Sequence, residues 1–146
     1  MKLNYSKAAD ETQAQAIGKD MDMSFRHAVE VCGAIRGMKL QDAIGLLDDV
    51  VEGKRMIPFK RHIRGIGHKK GQFNLARYPK KASGNIRGVL KNAEANAGFK
   101  GLDTDSLKVT HVQALKGFAR ARRKPKGRWK SWKSRRVHIQ VVVSGT

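Results

Sequence analysis

Leu107-Lys108-Val109-Thr110-His111-Val112-Gln113-Ala114-Leu115 and Val137-His138-Ile139-Gln140-Val141-Val142-Val143 decide how this chain folds. In the second stretch, Val137, Ile139, Val141 and Val143 alternate with His138, Gln140 and Val142. That two-residue period predicts a half-buried strand. The first stretch reads as a strand too, with a slip between Val109 and Val112 that suggests a bulge. Between them lie Lys116 to Arg136, with the turn formers Pro125 and Gly127 at the centre. The two strands therefore form the base of a long hairpin whose tip lies near Lys124–Arg128. About ten residues per arm, at roughly 3.3 Å each, project on the order of 30 Å. A body of this length has a radius of gyration of roughly 15 Å, so the hairpin reaches well beyond it. A lone two-stranded ribbon is marginal in water, and this one should be ordered mainly by what it binds.

Upstream, the spacing predicts three helices. Ser24 is a plausible N-cap, followed by Phe25, Ala28, Val29, Cys32 and Ile35 at helical spacing, with Gly37 as the stop. Leu40, Ala43, Ile44, Leu47, Val50 and Val51 mark a second helix that Gly53 ends, and the short connection implies that the two pack together. Pro79 precedes a third helix from about Lys80 to Ala97, with Ala82, Ile86, Val89, Leu90 and Ala93 on its stripe and Gly98 as the stop. Gly84 and Gly88 weaken it, or permit a close backbone approach. Gln13 to Met23 offers weak alternation through Ala14, Ala16 and Gly18, a third strand. Residues 54–79 hold Pro58, Gly65, Gly67, Gly71 and Pro79 and read as a long loop ordered on binding, not as a core element.

Charge is partitioned sharply. The 146 residues carry 31 Lys and Arg against 12 Asp and Glu, a net charge of +19. Residues 1–53 hold 6 basic and 9 acidic side chains, and residues 82–105 hold 3 of each. Residues 54–81 hold 10 basic and no acidic, and residues 106–146 hold 12 basic and no acidic. Eleven like charges within residues 116–136 repel one another, so a partner outside the chain should supply the counter-charge. A freely diffusing metabolic enzyme rarely carries such a field.

No enzyme motif emerges. Gly65-Ile66-Gly67-His68-Lys69-Lys70-Gly71 has glycines one place off the dinucleotide spacing and no strand–helix context. The histidines lack paired ligand spacing, and Cys32, the single cysteine, lies on an apolar stripe as a small buried hydrophobe. Asp48-Asp49 and the Asp20, Asp22 pair read as solvated faces. No catalytic residue, cofactor or metal is expected. No apolar run approaches the roughly 18 residues of a membrane span. The polar stretch from Met1 to Ala16 has no signal-peptide character, so a cytoplasmic protein is expected.

Nucleic acid fits better. Both tryptophans, Trp129 and Trp132, sit among Arg120, Arg122, Arg123, Lys124, Lys126, Arg128, Lys130, Lys133, Arg135 and Arg136. Arginine forks suit phosphates, and exposed indoles stack on unpaired bases. A second region has the same grammar: Lys60, Arg61, His62, Arg64, His68, Lys69, Lys70, Phe73 and Arg77. No basic recognition helix, zinc finger or zipper is present, and two irregular basic extensions suit a folded RNA better than duplex DNA. A free basic binder, such as an RNA chaperone or a DNA-compacting protein, is the runner-up, and a membrane-active cationic protein the third reading.

These residues carry a resemblance. The pair of helices ending Ala34-Ile35-Arg36-Gly37, Lys80-Lys81-Ala82 leading to Asn92-Ala93-Glu94-Ala95-Asn96-Ala97, Leu107-Lys108-Val109, Lys126-Gly127-Arg128 and the closing strand occur in the order of one family. The chain resembles the large-subunit ribosomal protein family L-twenty-two in its archaeal and eukaryotic form, from about Ala14 onward. The insert between Arg55 and Tyr78 departs from the bacterial pattern, and the absence of an extended tail points to an archaeal source. The resemblance implies one α+β domain over residues 1–146: three helices packed on a small three-stranded antiparallel sheet, with basic insert 54–79 and extended hairpin 116–136. It implies a structural constituent of the large ribosomal subunit, not an enzyme. Its partners would be large-subunit ribosomal RNA, neighbouring ribosomal proteins and the nascent polypeptide in the exit tunnel, with no membrane and no homo-oligomer. The RNA-binding set would be the basic residues and tryptophans named above, without His62, together with Lys80, Lys81 and Lys116. Arg122, Arg123, Lys124, Pro125, Lys126, Gly127 and Arg128 would line the tunnel.

Overall fold

The computed structural model describes residues 5–7, 10–71, 73–123 and 131–145. The elements run β1 (Gln13–Met21), α1 (Phe25–Ile35), α2 (Leu40–Glu52), β2 (Ile57–Pro58), β3 (Ala76–Arg77), α3 (Lys80–Phe99), β4 (Lys108–Arg123) and β5 (Ser131–Ser144). β5 is the middle strand of a three-stranded antiparallel sheet in the order β1-β5-β4, and β2 and β3 pair separately. The α+β architecture therefore stands as expected, including the third strand.

The alternation in β5 works as its period requires. Val137, Ile139, Val141 and Val143 enter one core with Leu107, Val109 and Val112 of the β4 arm and with the apolar stripes of all three helices. The other face of β5 is buried as well: His138, Gln140 and Val142 are at most 6% exposed, where the sequence suggested a half-buried strand. Distant chain explains the difference. Ser6 donates both its N–H and its hydroxyl to Gln140 Oε1, each at 3.0 Å, and the backbone N–H of Asp20 donates to His138 Nδ1 at 3.0 Å.

The bulge near Val109 is present. The β4–β5 register shifts between Val109 and His111, and the Thr110 hydroxyl donates to the Val142 carbonyl at 3.0 Å. A second shift, between Lys116 and Ala119, has no sequence forerunner except Gly117. A Cβ there would lie 3.0 Å from the Arg136 carbonyl oxygen and 3.0 Å from His138 Nε2, so glycine relieves a tight approach at the step where ribbon leaves body.

Helix ends follow the sequence with one correction. Gly53 adopts φ 92°, and its N–H closes on the carbonyls of Asp49 and Val50. α3 does not stop at Gly98. It continues to Phe99, and the left-handed residue after it is Gly101, at φ 74°. Gly84 and Gly88 admit no backbone: a Cβ at Gly84 would meet Val51 Cγ2 at an ordinary 3.9 Å, and one at Gly88 would meet nothing.

The larger correction concerns residues 54–79. They are not an unanchored loop, because β2 and β3 pin both ends, and Ile57, Phe59 and Ala76 are buried. Short apolar anchors inside a basic, Pro- and Gly-rich stretch carry too few residues to register as periodicity.

Candidate nucleic-acid interface

The ribbon and the insert form two arms of one basic surface. On the ribbon, Lys116, Arg120, Arg122, Arg123, Lys133, Arg135 and Arg136 are exposed, and Trp132 is 53% exposed. Arg122 stands directly opposite Trp132 in the ladder. Cross-strand neighbours have Cβ atoms roughly 5 Å apart, so this pair offers a phosphate fork beside a stacking surface. Lys124, Pro125, Lys126, Gly127, Arg128, Trp129 and Lys130 lie outside the described residues.

The insert is held by a residue that the sequence reading passed over. Glu30 of α1 is only 5% exposed. Its carboxylate accepts three consecutive backbone N–H groups, from Lys60 at 3.0 Å, Arg61 at 2.9 Å and His62 at 2.6 Å. Each such bond to a charged acceptor is worth about 1.5–3 kcal/mol. The side chains of Lys60, Arg61 and Arg64 are thereby left exposed while their backbone is tied down. His68, Lys69 and Lys70 are exposed farther along, and Arg77 donates from Nη2 to the Gly65 carbonyl at 3.1 Å. His27 braces the same place: its ring meets Phe59 edge-on at 5.5 Å, and burial, with Arg77 nearby, lowers its pKa.

Where the arms meet, Arg26, His62, Lys116, Lys133 and Arg135 line an open cleft of about 610 Å³. No carboxylate lines it. Arg26, on α1, does not stand out in the sequence, because it lies in a segment with net negative charge.

Lys80, Lys81 and Arg136, three of the expected contact residues, are engaged within the chain. Lys81 Nζ sits 2.6 Å from Asp22, and Arg136 lies 3.9 Å from the same carboxylate. The hydrogen bond and charge of Lys81 hold the Asp22 pKa below its ordinary value, with a smaller contribution from Arg136. A depressed carboxyl contributes stability above its unfolded pKa and loses it as pH falls through the folded value. Asp22 is exposed, so this contribution is small. Lys80 Nζ reaches the Glu52 carbonyl at 3.4 Å. We expect Asp22→Asn to release Lys81 and Arg136 toward phosphates and tighten RNA binding with a steeper salt dependence. Filter binding across a salt series checks this, and unchanged or weaker binding would contradict it.

Cys32 is 2% exposed, and burial pushes its thiol up to about 12, which fits a small core hydrophobe. Asp48 pairs with Arg87 of α3. Among the described residues no group of three His, Cys, Asp or Glu side chains is placed to hold a metal, and no helix is long and apolar enough to cross a membrane.

A family model described as ribosomal protein L22p/L17e matches residues 16–144, from the middle of β1 to the end of β5. The chain belongs to this family. Three archaeal relatives, each named large ribosomal subunit protein uL22, agree. That of Archaeoglobus fulgidus is 51% identical over 120 residues, covering 80% of this chain and 77% of the relative. Those of Methanococcus aeolicus and Methanocaldococcus jannaschii are 41% and 40% identical, each over 147 aligned positions, covering 97% of this chain and 96% and 94% of the relatives. The match spans all three helices, the three-stranded sheet and the basic insert.

Proposed function

We propose that the two acid-free arms bind large-subunit ribosomal RNA and that residues 122–128, at the hairpin tip, line the polypeptide exit tunnel. The chain is a structural constituent of the large ribosomal subunit in the cytoplasm and not an enzyme, as its family is. What carries the RNA reading is the acid-free cleft where Arg26 and His62 meet Lys116, Lys133 and Arg135, flanked by exposed Lys60, Arg61, Arg64, Lys69 and Lys70 of the insert and exposed Arg120, Arg122 and Arg123 of the ribbon. Phosphate neutralisation and shape would do the binding, with Trp132 as a stacking platform. The assembled particle supplies the counter-charge that the chain lacks. On this reading the whole chain acts as one unit and in one copy per subunit, not as a homo-oligomer.

The tunnel assignment rests on the ribbon's length and the family's architecture. A photo-crosslinker in place of Arg123, in ribosomes carrying a stalled nascent chain, should capture that chain. Crosslinks to ribosomal RNA alone would overturn the tunnel placement and leave the RNA interface standing.

A further inference from the structure

The edge of β4 that turns away from β5 is covered along only part of its length. Gly37 donates to the Val109 carbonyl at 2.9 Å, Val109 donates to the Met38 carbonyl at 3.0 Å, and Leu40 donates to the Leu107 carbonyl at 2.9 Å. Arg36 Nη2 then donates to the Val112 carbonyl at 3.0 Å. Strand parity puts the N–H and C=O of Ala114 and Lys116 on this same edge. Among the described residues no backbone or side-chain partner takes them. Beside this open stretch runs a groove of about 500 Å³, floored by Phe25, Val29 and Cys32 of α1 and rimmed by Arg36, Arg61 and His62.

We propose that this edge and groove receive an extended segment of a neighbouring ribosomal protein, added as a fourth strand beside β4. The proposal rests on the chain's place in the large subunit. The donor and acceptor pattern selects the occupant. An edge strand offers N–H and C=O groups together, which an extended polypeptide answers group for group. A phosphate backbone offers mainly acceptors and would leave the Ala114 and Lys116 carbonyls facing oxygens. The floor adds three apolar side chains, which suit every second residue of a paired strand. The rim is cationic and no acid lines the groove, so the occupant should bear carboxylates at its margin. Arg36 closes one end, and the register shift after Lys116 closes the other, leaving room for about five residues at roughly 3.3 Å each.

The test uses purified large subunits that contain the chain with p-benzoylphenylalanine in place of Val29. Photolysis should join it to one extended segment of a neighbouring ribosomal protein, with alternating apolar and acidic residues. In subunits with the unmodified chain, the Ala114 and Lys116 amides should exchange at least tenfold more slowly than in the free protein. Crosslinks to ribosomal RNA, or exchange as fast as in the free protein, would overturn the proposal. Absence of the chain from large subunits would instead overturn the ribosomal reading itself, so the two failures are distinct.

Discussion

Replacing Glu30 with alanine should lower stability by about 3 kcal/mol and release the basic insert from the body. Three backbone N–H groups, at Lys60, Arg61 and His62, lose one shared acceptor. Bonds to charged acceptors contribute about 1.5–3 kcal/mol each, and partial rehydration of the freed insert recovers some of the loss. For a chain of this size, about 3 kcal/mol corresponds to a fall in melting temperature of roughly 6–12 °C. Glu30→Gln keeps an amide oxygen of the same reach and should fall between alanine and wild type. The insert's amides, protected in the wild type, should exchange rapidly in the alanine variant. RNA affinity should drop too, because an insert that must be ordered on binding costs affinity that a pre-tied one does not. Thermal denaturation and hydrogen exchange at residues 60–62 check this. An unchanged melting temperature with protected amides would mean that β2, β3 and Phe59 hold the insert without Glu30.

The second large effect separates binding from folding. Arg122 and Arg123 sit on the exposed ribbon, far from the buried side chains of the core. Arg122→Ala with Arg123→Ala should leave the melting temperature of the free protein nearly unchanged, since exposed substitutions usually stay within about 0.5 kcal/mol. Binding to a large-subunit RNA transcript should weaken at least tenfold. The slope of log affinity against log salt should become shallower by about 1.4–1.8, at roughly 0.7–0.9 for each phosphate no longer neutralised. Equal binding with a lowered melting temperature would contradict this and assign the ribbon arginines to stability.

The sequence made legible whatever was local and periodic. The alternation from Val137 to Val143 marked a central strand, and the helix stripes marked α1, α2 and α3 to within a few residues. Gly53 showed its stop because a left-handed cap needs glycine. Gly98 misled, since glycine tolerates the helix interior and the cap fell at Gly101. The basic surface was legible because the absence of acids over 41 consecutive residues is a composition, readable without structure. Long-range pairings were not legible. Glu30 looks like one more polar helix residue until the chain just after β2 crosses it some thirty positions later. The buried Gln140 takes its hydrogen bonds from Ser6, which lies 134 positions away. The basic cleft needed Arg26, a single cation in an acidic segment that only the fold brings beside Lys133 and Arg135.

Sedimentation of a lysate of cells expressing this chain through sucrose gradients, at low and at high salt, decides whether the chain is built into the large subunit. An embedded component touches many phosphates at once, and competing ions strip loose binders first. A built-in chain stays with the large subunit through the high-salt wash, and that is the expected result. A chain that leaves at modest salt, or runs free in both gradients, would contradict it.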